Sequence, residues 1–251
     1  GKKEFNYIKT RQMTPVKKNN FLNFENRVED LIHLPVNTNE YMPVLWEELN
    51  IYNYYRIFPD SFGPDNFNQD TTGLCFLFSC LSSISTIPGL IHNIFGINNN
   101  WRIKKVFTLF FFHNKQKTLI TVSDKFPFKT KNKQKYFIWS KPADNELFGK
   151  IIEKAYLKYQ LTLGKYANYN QDNNNISSII NKIIFTDGGQ EREAMQLLVN
   201  SEYKSIYSIY NRGYYNNYVD PEKIFKEIKN YKDKKALITM AGRFNPNASS
   251  G

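Results

Sequence analysis

Gln69-Asp70-Thr71-Thr72-Gly73-Leu74-Cys75-Phe76-Leu77-Phe78 is a polar, turn-forming run that gives way at a cysteine to an apolar one. Asp70, Thr71 and Thr72 are residue types that cap helix N-termini, and Pro88-Gly89 is a natural stop, so a helix is expected from near Cys75 to Ile87. Leu77, Cys80, Leu81 and Ile84 recur at helical spacing and give it a buried face. A thiol at a helix start meets unpaired backbone N–H groups that favour the thiolate. Gln69, six residues ahead of Cys75, offers a side-chain amide that would join the Cys75 N–H as a pair of oxyanion donors. The plainer reading of Cys75 is a small apolar side chain buried in the helix.

Outward from this stretch, Tyr54 to Phe58 reads as a short strand leading into the turn-rich Pro59 to Pro64. Trp101 to Phe112 and Lys117 to Val122 read as a hairpin looped through His113-Asn114-Lys115-Gln116. Ser123 to Lys135 reads as a basic connector and Tyr136 to Trp139 as another strand. The clearest helix is Asn145 to Gln160: Phe148, Ile151, Ile152, Ala155, Tyr156 and Tyr159 form the inner stripe, with Lys150, Glu153, Lys154 and Lys158 on the outer face. Asn168 to Asn175 is an Asn-rich insert. Phe185 to Gly189 reads as a turn, Gln190 to Val199 as a helix, Asp220 to Ile228 as a helix with Pro221 in its first turn, and Ala236 to Met240 as a last strand.

A chain of 251 residues with 41% hydrophobic and 23% charged residues has ample material for a core, which excludes wholesale disorder. The formal charge of +11 invites an anionic partner, but the lysines are scattered and no zinc-ligand set or RNA-binding signature accompanies them, so no specific nucleic-acid role is expected. Two cysteines, Cys75 and Cys80, are too few and too close for a disulfide framework, which favours a reducing, cytoplasmic setting. No run approaches the roughly 20 apolar residues of a membrane span. The expected organisation is a basic polar arm over residues 1–40, a folded unit over 41–242 and a loop-like tail over 243–251. The start at Gly1 suggests a piece of something longer.

Several segments in order resemble the calpain family of cysteine proteases. Gln69 to Phe78 is similar to the segment Q-G-x-L-G-D-C-W-L-L, and Ile120-Thr-Val-Ser-Asp124-Lys-Phe-Pro127 to V-V-I-D-D-x-L-P. Leu147 to Lys158, with Glu153-Lys154-Ala155-Tyr156, resembles the helix L-L-E-K-A-Y-A-K; Gly164-Lys-Tyr166 and Phe185-Thr186-Asp187-Gly188-Gly189 resemble the G-x-Y and F-T-G-G that follow. The resemblance runs from about residue 50 to 242. It implies an α+β, papain-like fold, here the helical first subdomain with a central Cys-bearing helix and a peripheral β hairpin. It also implies Cys75 as nucleophile, Gln69 as oxyanion donor, and a protein or peptide substrate. A second subdomain would supply the catalytic His and Asn, since His33, His92 and His113 read as surface or structural residues. Leu74 and Phe76 replace the family's Asp and Trp around the cysteine, and Lys182-Ile183-Ile184 replaces acidic residues. The resemblance implies a calcium site too, but its Asp corresponds to Asn66 while its Glu survives as Glu153, so calcium binding is not expected. Asp124, Glu153 and Asp187 read as surface or turn carboxylates.

Three functions are therefore carried forward. The chain is the nucleophile-bearing part of an endopeptidase, or a catalytically inactive module of the same family that binds proteins, or a basic binder of nucleic acid or anionic surfaces.

Overall fold

Phe107, Leu109 and Phe111 alternate with more exposed neighbours along Val106–His113 (β3), the period-two pattern of a half-buried strand. Its partner is Gln116–Ser123 (β4), paired from Val106↔Ser123 to His113↔Gln116. Asn114 and Lys115 both have positive φ, as a two-residue hairpin turn of the primed type requires, so the loop is two residues shorter than the sequence suggests. The computed structural model describes residues 45–48, 56–70, 72–87, 89–96, 106–131, 134–137, 139–142, 145–167, 176–202 and 220–239. The expected arm, tail and Asn-rich insert lie outside them.

In chain order the remaining strands are Leu45–Glu48 (β1), Phe67–Asn68 (β2), Lys125–Lys131 (β5), Gln134–Phe137 (β6) and Lys141–Pro142 (β7). They form an antiparallel β1-β5-β6 sheet and a short β2-β7 pair. The helices are Cys75–Ser85 (α1), Leu90–Ile94 (α2), Phe148–Thr162 (α3), Ile176–Asn181 (α4), which continues into a π-helical turn over Lys182–Thr186, Glu191–Val199 (α5) and Pro221–Asp233 (α6). Asp220 caps α6 by accepting the Glu222 N–H at 3.0 Å. This is a mixed α+β arrangement, and no helix among the described residues is long and apolar enough to cross a membrane.

Five sequence expectations are corrected. Residues 123–135 are strand rather than connector, because Phe126, Pro127 and Phe128 are buried and β5 pairs on both sides. Near Tyr54 to Phe58 the described backbone makes only a bridge from Arg56 to Glu146, and residues 236–239 are irregular, with the Ile238 N–H donating to Ser83 Oγ at 3.2 Å. The helix lying along α1 is α5, not the Phe148–Thr162 helix; α3 touches α1 through large side chains and packs chiefly on the hairpin. The hairpin is not peripheral, since one face is fully buried between α3 and α5.

The outer face assigned to α3 is also overturned. Lys150, Glu153, Lys154 and Lys158 are buried, because β4, β5 and residues 139–140 cover that side. Lys154 Nζ donates to Ser123 O at 3.0 Å, Ser123 Oγ at 2.7 Å and Lys125 O at 2.7 Å, and Lys158 Nζ donates to Thr121 O. The ammonium groups thus satisfy carbonyls where β4 bends into β5, work a solvent-facing lysine would not do.

Candidate active site

Cys75 is the first residue of α1 and is exposed, which disposes of its reading as a buried apolar side chain. The following residues Phe76, Leu77 and Phe78, with Cys80, Leu81 and Ile84, are all buried, so the helix is anchored around most of its girth while its first thiol faces out. No side chain caps the helix: Leu74 holds the cap position. Asp70 instead pairs with Lys141 at 3.1 Å, and the Thr72 hydroxyl donates to Gln69 O at 3.2 Å. The Leu77 N–H is given to Leu74 O at 3.0 Å, so the uncapped start leaves the amides of Cys75 and Phe76 for an anionic group beside the sulfur.

The backbone leading into Cys75 is pinned from behind. Gly73 N–H donates to Ile184 O at 2.6 Å, and a Cβ on Gly73 would lie 2.9 Å from Phe185 O. One residue past the thiol, the Phe76 ring lies against Gly189, whose Cβ would meet it at 2.5 Å, and packs edge-on against Tyr156 at 5.8 Å. The π-helical turn and Gly189 therefore brace the start of α1.

Cys80 is the contrasting thiol. It donates to Glu191 O at 3.3 Å, and burial, aided by the Glu191 charge, pushes it up to about 12. It is a structural link between α1 and α5.

Gln69 is half-buried, and its amide Nε2 donates to Thr72 O. One amide hydrogen is spent on that turn and one remains, since a carboxamide nitrogen carries two. Of the histidines, His92 packs on Phe58 and Phe62, and His113 holds Tyr159 Oη through Nδ1 at 3.0 Å. His33 lies outside the described residues. Among the described residues no side chain is hydrogen-bonded to Cys75 Sγ.

A cavity of about 350 Å³ opens beside the Gly188-Gly189 strip, lined among others by Tyr156, Tyr166, Asp187, Gln190 and Glu193. Asp187 accepts from Lys165 Nζ at 2.7 Å and from the Tyr166 hydroxyl. Partial burial works against its charge, but these two donors hold the carboxyl below its usual range. Sequence reading took Asp187 and the glycines as an ordinary turn. The place of Gly189 against Phe76 is a tertiary contact at which only the Gly-Gly pair hinted. Asp124 and Glu153 are buried rather than superficial.

The two residues implied as calcium ligands do not fit the ion. Asn66 Oδ1 accepts the Gly63 N–H at 2.6 Å and its Nδ2 donates to Glu146 at 2.9 Å, so both ends are committed. Glu153 Oε1 accepts Ser140 N–H at 3.2 Å, while Oε2 takes the Ser140 hydroxyl at 2.7 Å and Lys150 Nζ at 3.4 Å. An ammonium already neutralises that carboxylate. Burial holds Lys150 below the ordinary lysine range, opposed by Glu153. No cluster of three or more His, Cys, Asp or Glu suited to a metal ion occurs among the described residues.

No curated protein matches the chain. A family model described as calpain family cysteine protease matches residues 23–249.

Proposed function

The chain belongs to the calpain family of cysteine proteases, and from that membership we propose that Cys75 is the nucleophile of a peptide-cleaving centre on a papain-like fold. The observation that carries this reading is the exposed thiol at the uncapped first residue of an otherwise buried helix. The thiolate attacks the scissile carbonyl carbon, and the oxyanion so formed takes the Cys75 N–H and the second amide hydrogen of Gln69. The C–N bond then breaks as the leaving amine receives a proton, leaving a thioester that water hydrolyses. A His, oriented by an Asn, must shuttle that proton. Residues 41–242 are the nucleophile-bearing subdomain in this reading, flanked by the 1–40 arm and the 243–251 tail, and a second subdomain contributes the His and Asn. An extended protein or peptide substrate would lie along the exposed Gly188-Gly189 strip, where the space in front of Gly188 is open. Two free thiols suit a reducing, cytoplasmic setting.

One observation favours a catalytically inactive binding module: Gln69 turns an amide hydrogen toward Thr72 O. A peptide carrying a thiol-directed electrophile separates the two. Covalent labelling mapped by mass spectrometry to Cys75, lost in Cys75→Ser and kept in Cys80→Ser, supports the nucleophile. Failure of the folded protein to label faster than a simple thiol control supports the binding module.

A further inference from the structure

Lys150 is a buried cation paired with a buried carboxylate. Its side chain and that of Glu153 are each 1% exposed, and its Nζ sits among oxygen and π acceptors: Ser140 O at 2.7 Å, Glu153 Oε2 at 3.4 Å and the Phe137 ring at 5.1 Å. A carbonyl and a carboxylate converging on one buried positive charge is the donor set a hard cation would ask for. Here a covalently attached ammonium supplies the charge.

The cluster also lies on a short mechanical path to the thiol. Ser140, bound by both Lys150 and Glu153, runs directly into β7, and β7 pairs with β2 in the register Phe67↔Pro142 and Asn68↔Lys141. Gln69 follows β2 at once, Lys141 ties Asp70, and the Phe67 ring rests against Gly149, the residue before Lys150. Breaking the Ser140 clamp loosens the strand pair on which the Gln69–Cys75 segment is hung.

We propose that the Lys150 ammonium is a built-in cation that clamps Glu153 and Ser140 where a divalent ion would otherwise be needed, so that the Cys75 site is assembled without calcium. Lys150 is a positioning residue, acting through Ser140 and the β2-β7 pair. The inference rests on the reading of Cys75 as nucleophile only for what is being positioned; the clamp itself is tested by stability.

The first arm uses the unaltered protein. Its melting midpoint in chelator and in about 1 mM calcium, far above the about 10⁻⁷–10⁻⁵ M range of sensor sites, should agree within about 1 °C. A functioning site of that affinity would raise the midpoint by about 5–20 °C and overturn the proposal. In the second arm, Lys150→Ala should lower the midpoint and slow iodoacetamide labelling of Cys75. Millimolar calcium or methylammonium should restore both by filling the space beside Glu153, while Lys154→Ala should lower the midpoint without responding to either cation. A folded Lys150→Ala that ignores both cations overturns the clamp. Should Lys150→Ala not fold, Lys150→Ala/Glu153→Gln, which leaves no buried charge uncompensated, should fold again; a double variant equally unfolded also overturns it. Peptide-electrophile labelling is scored separately, so an inert thiol with calcium-independent stability refutes the protease reading and spares the clamp.

Discussion

Gly189 and Phe76 form the contact on which the start of the Cys helix depends. The Phe76 ring covers the Gly189 backbone so closely that a Cβ would sit 2.5 Å from a ring carbon, and Phe76 is itself buried between that backbone and Tyr156. A methyl group there must displace an aromatic ring locked by its neighbours. Gly189→Ala is expected to cost about 1–3 kcal/mol, the usual range for overpacking a filled site. Chemical denaturation measures it, and the diagnostic step is the pair. Phe76→Leu in the Gly189→Ala background should recover part of the loss, a coupling that independent sites would not give. Strict additivity would mean that the ring and the glycine do not bear on each other. The place of Cys75 at a helix start was legible in the sequence because a polar turn, an apolar run and a helix stop bracket it. The glycine partner was not legible, since nothing local to Phe185–Gly189 says which ring it will meet more than a hundred positions away.

At the scale of elements, α3 shows most clearly where pattern and structure part. Its helical period was readable from Phe148, Ile151, Ile152, Ala155 and Tyr156, all of which are buried. The charges between them read as a wet face because lysine and glutamate are seldom buried unless paired. Here they are paired, and with main chain: three lysines spaced one turn apart reach Ser140, the Ser123–Lys125 bend and Thr121. The partners are carbonyls, which carry no sequence signature, so the pattern could not disclose them. Strand β5 was missed for a related reason, since its lysines gave it the texture of a linker while Phe126 and Phe128 faced the core. Lys154→Met keeps a long apolar side chain but strips the ammonium that lies 5.4 Å from the Phe126 ring centre and donates to Ser123 O and Lys125 O. The expected loss is roughly 1–3 kcal/mol per orphaned carbonyl. Lys226→Met, which removes only an exposed pair with Glu222 at 3.9 Å, should stay within about 0.5 kcal/mol by the same denaturation assay. Equal effects from the two would mean that the buried bonds add nothing beyond surface charge.

For the whole molecule, the excess of 34 Lys and Arg over 23 Asp and Glu sets the electrostatics. Exposed ion pairs such as Arg56–Asp60 and Lys165–Asp187 lie on a surface with far more cations than such pairs consume. Each is worth about 0–1 kcal/mol and weakens in salt, which would make added salt destabilising if pairs governed the balance. The net charge of +11 acts the other way. Folding gathers like charges into a smaller volume, and the resulting repulsion is what salt relieves. Between about 0.01 M and 0.15 M sodium chloride the screening length contracts from about 30 Å to about 8 Å, from the span of a domain to that of a local pair. Long-range repulsion is therefore screened before contact pairs are, and the buried lysine bonds of α3, out of reach of solvent ions, are spared. The melting midpoint should rise over that interval and level off above it. A midpoint that falls instead would place the stabilising electrostatics in the surface pairs, and would mean that the scattered lysines are matched by acidic neighbours more completely than their number allows.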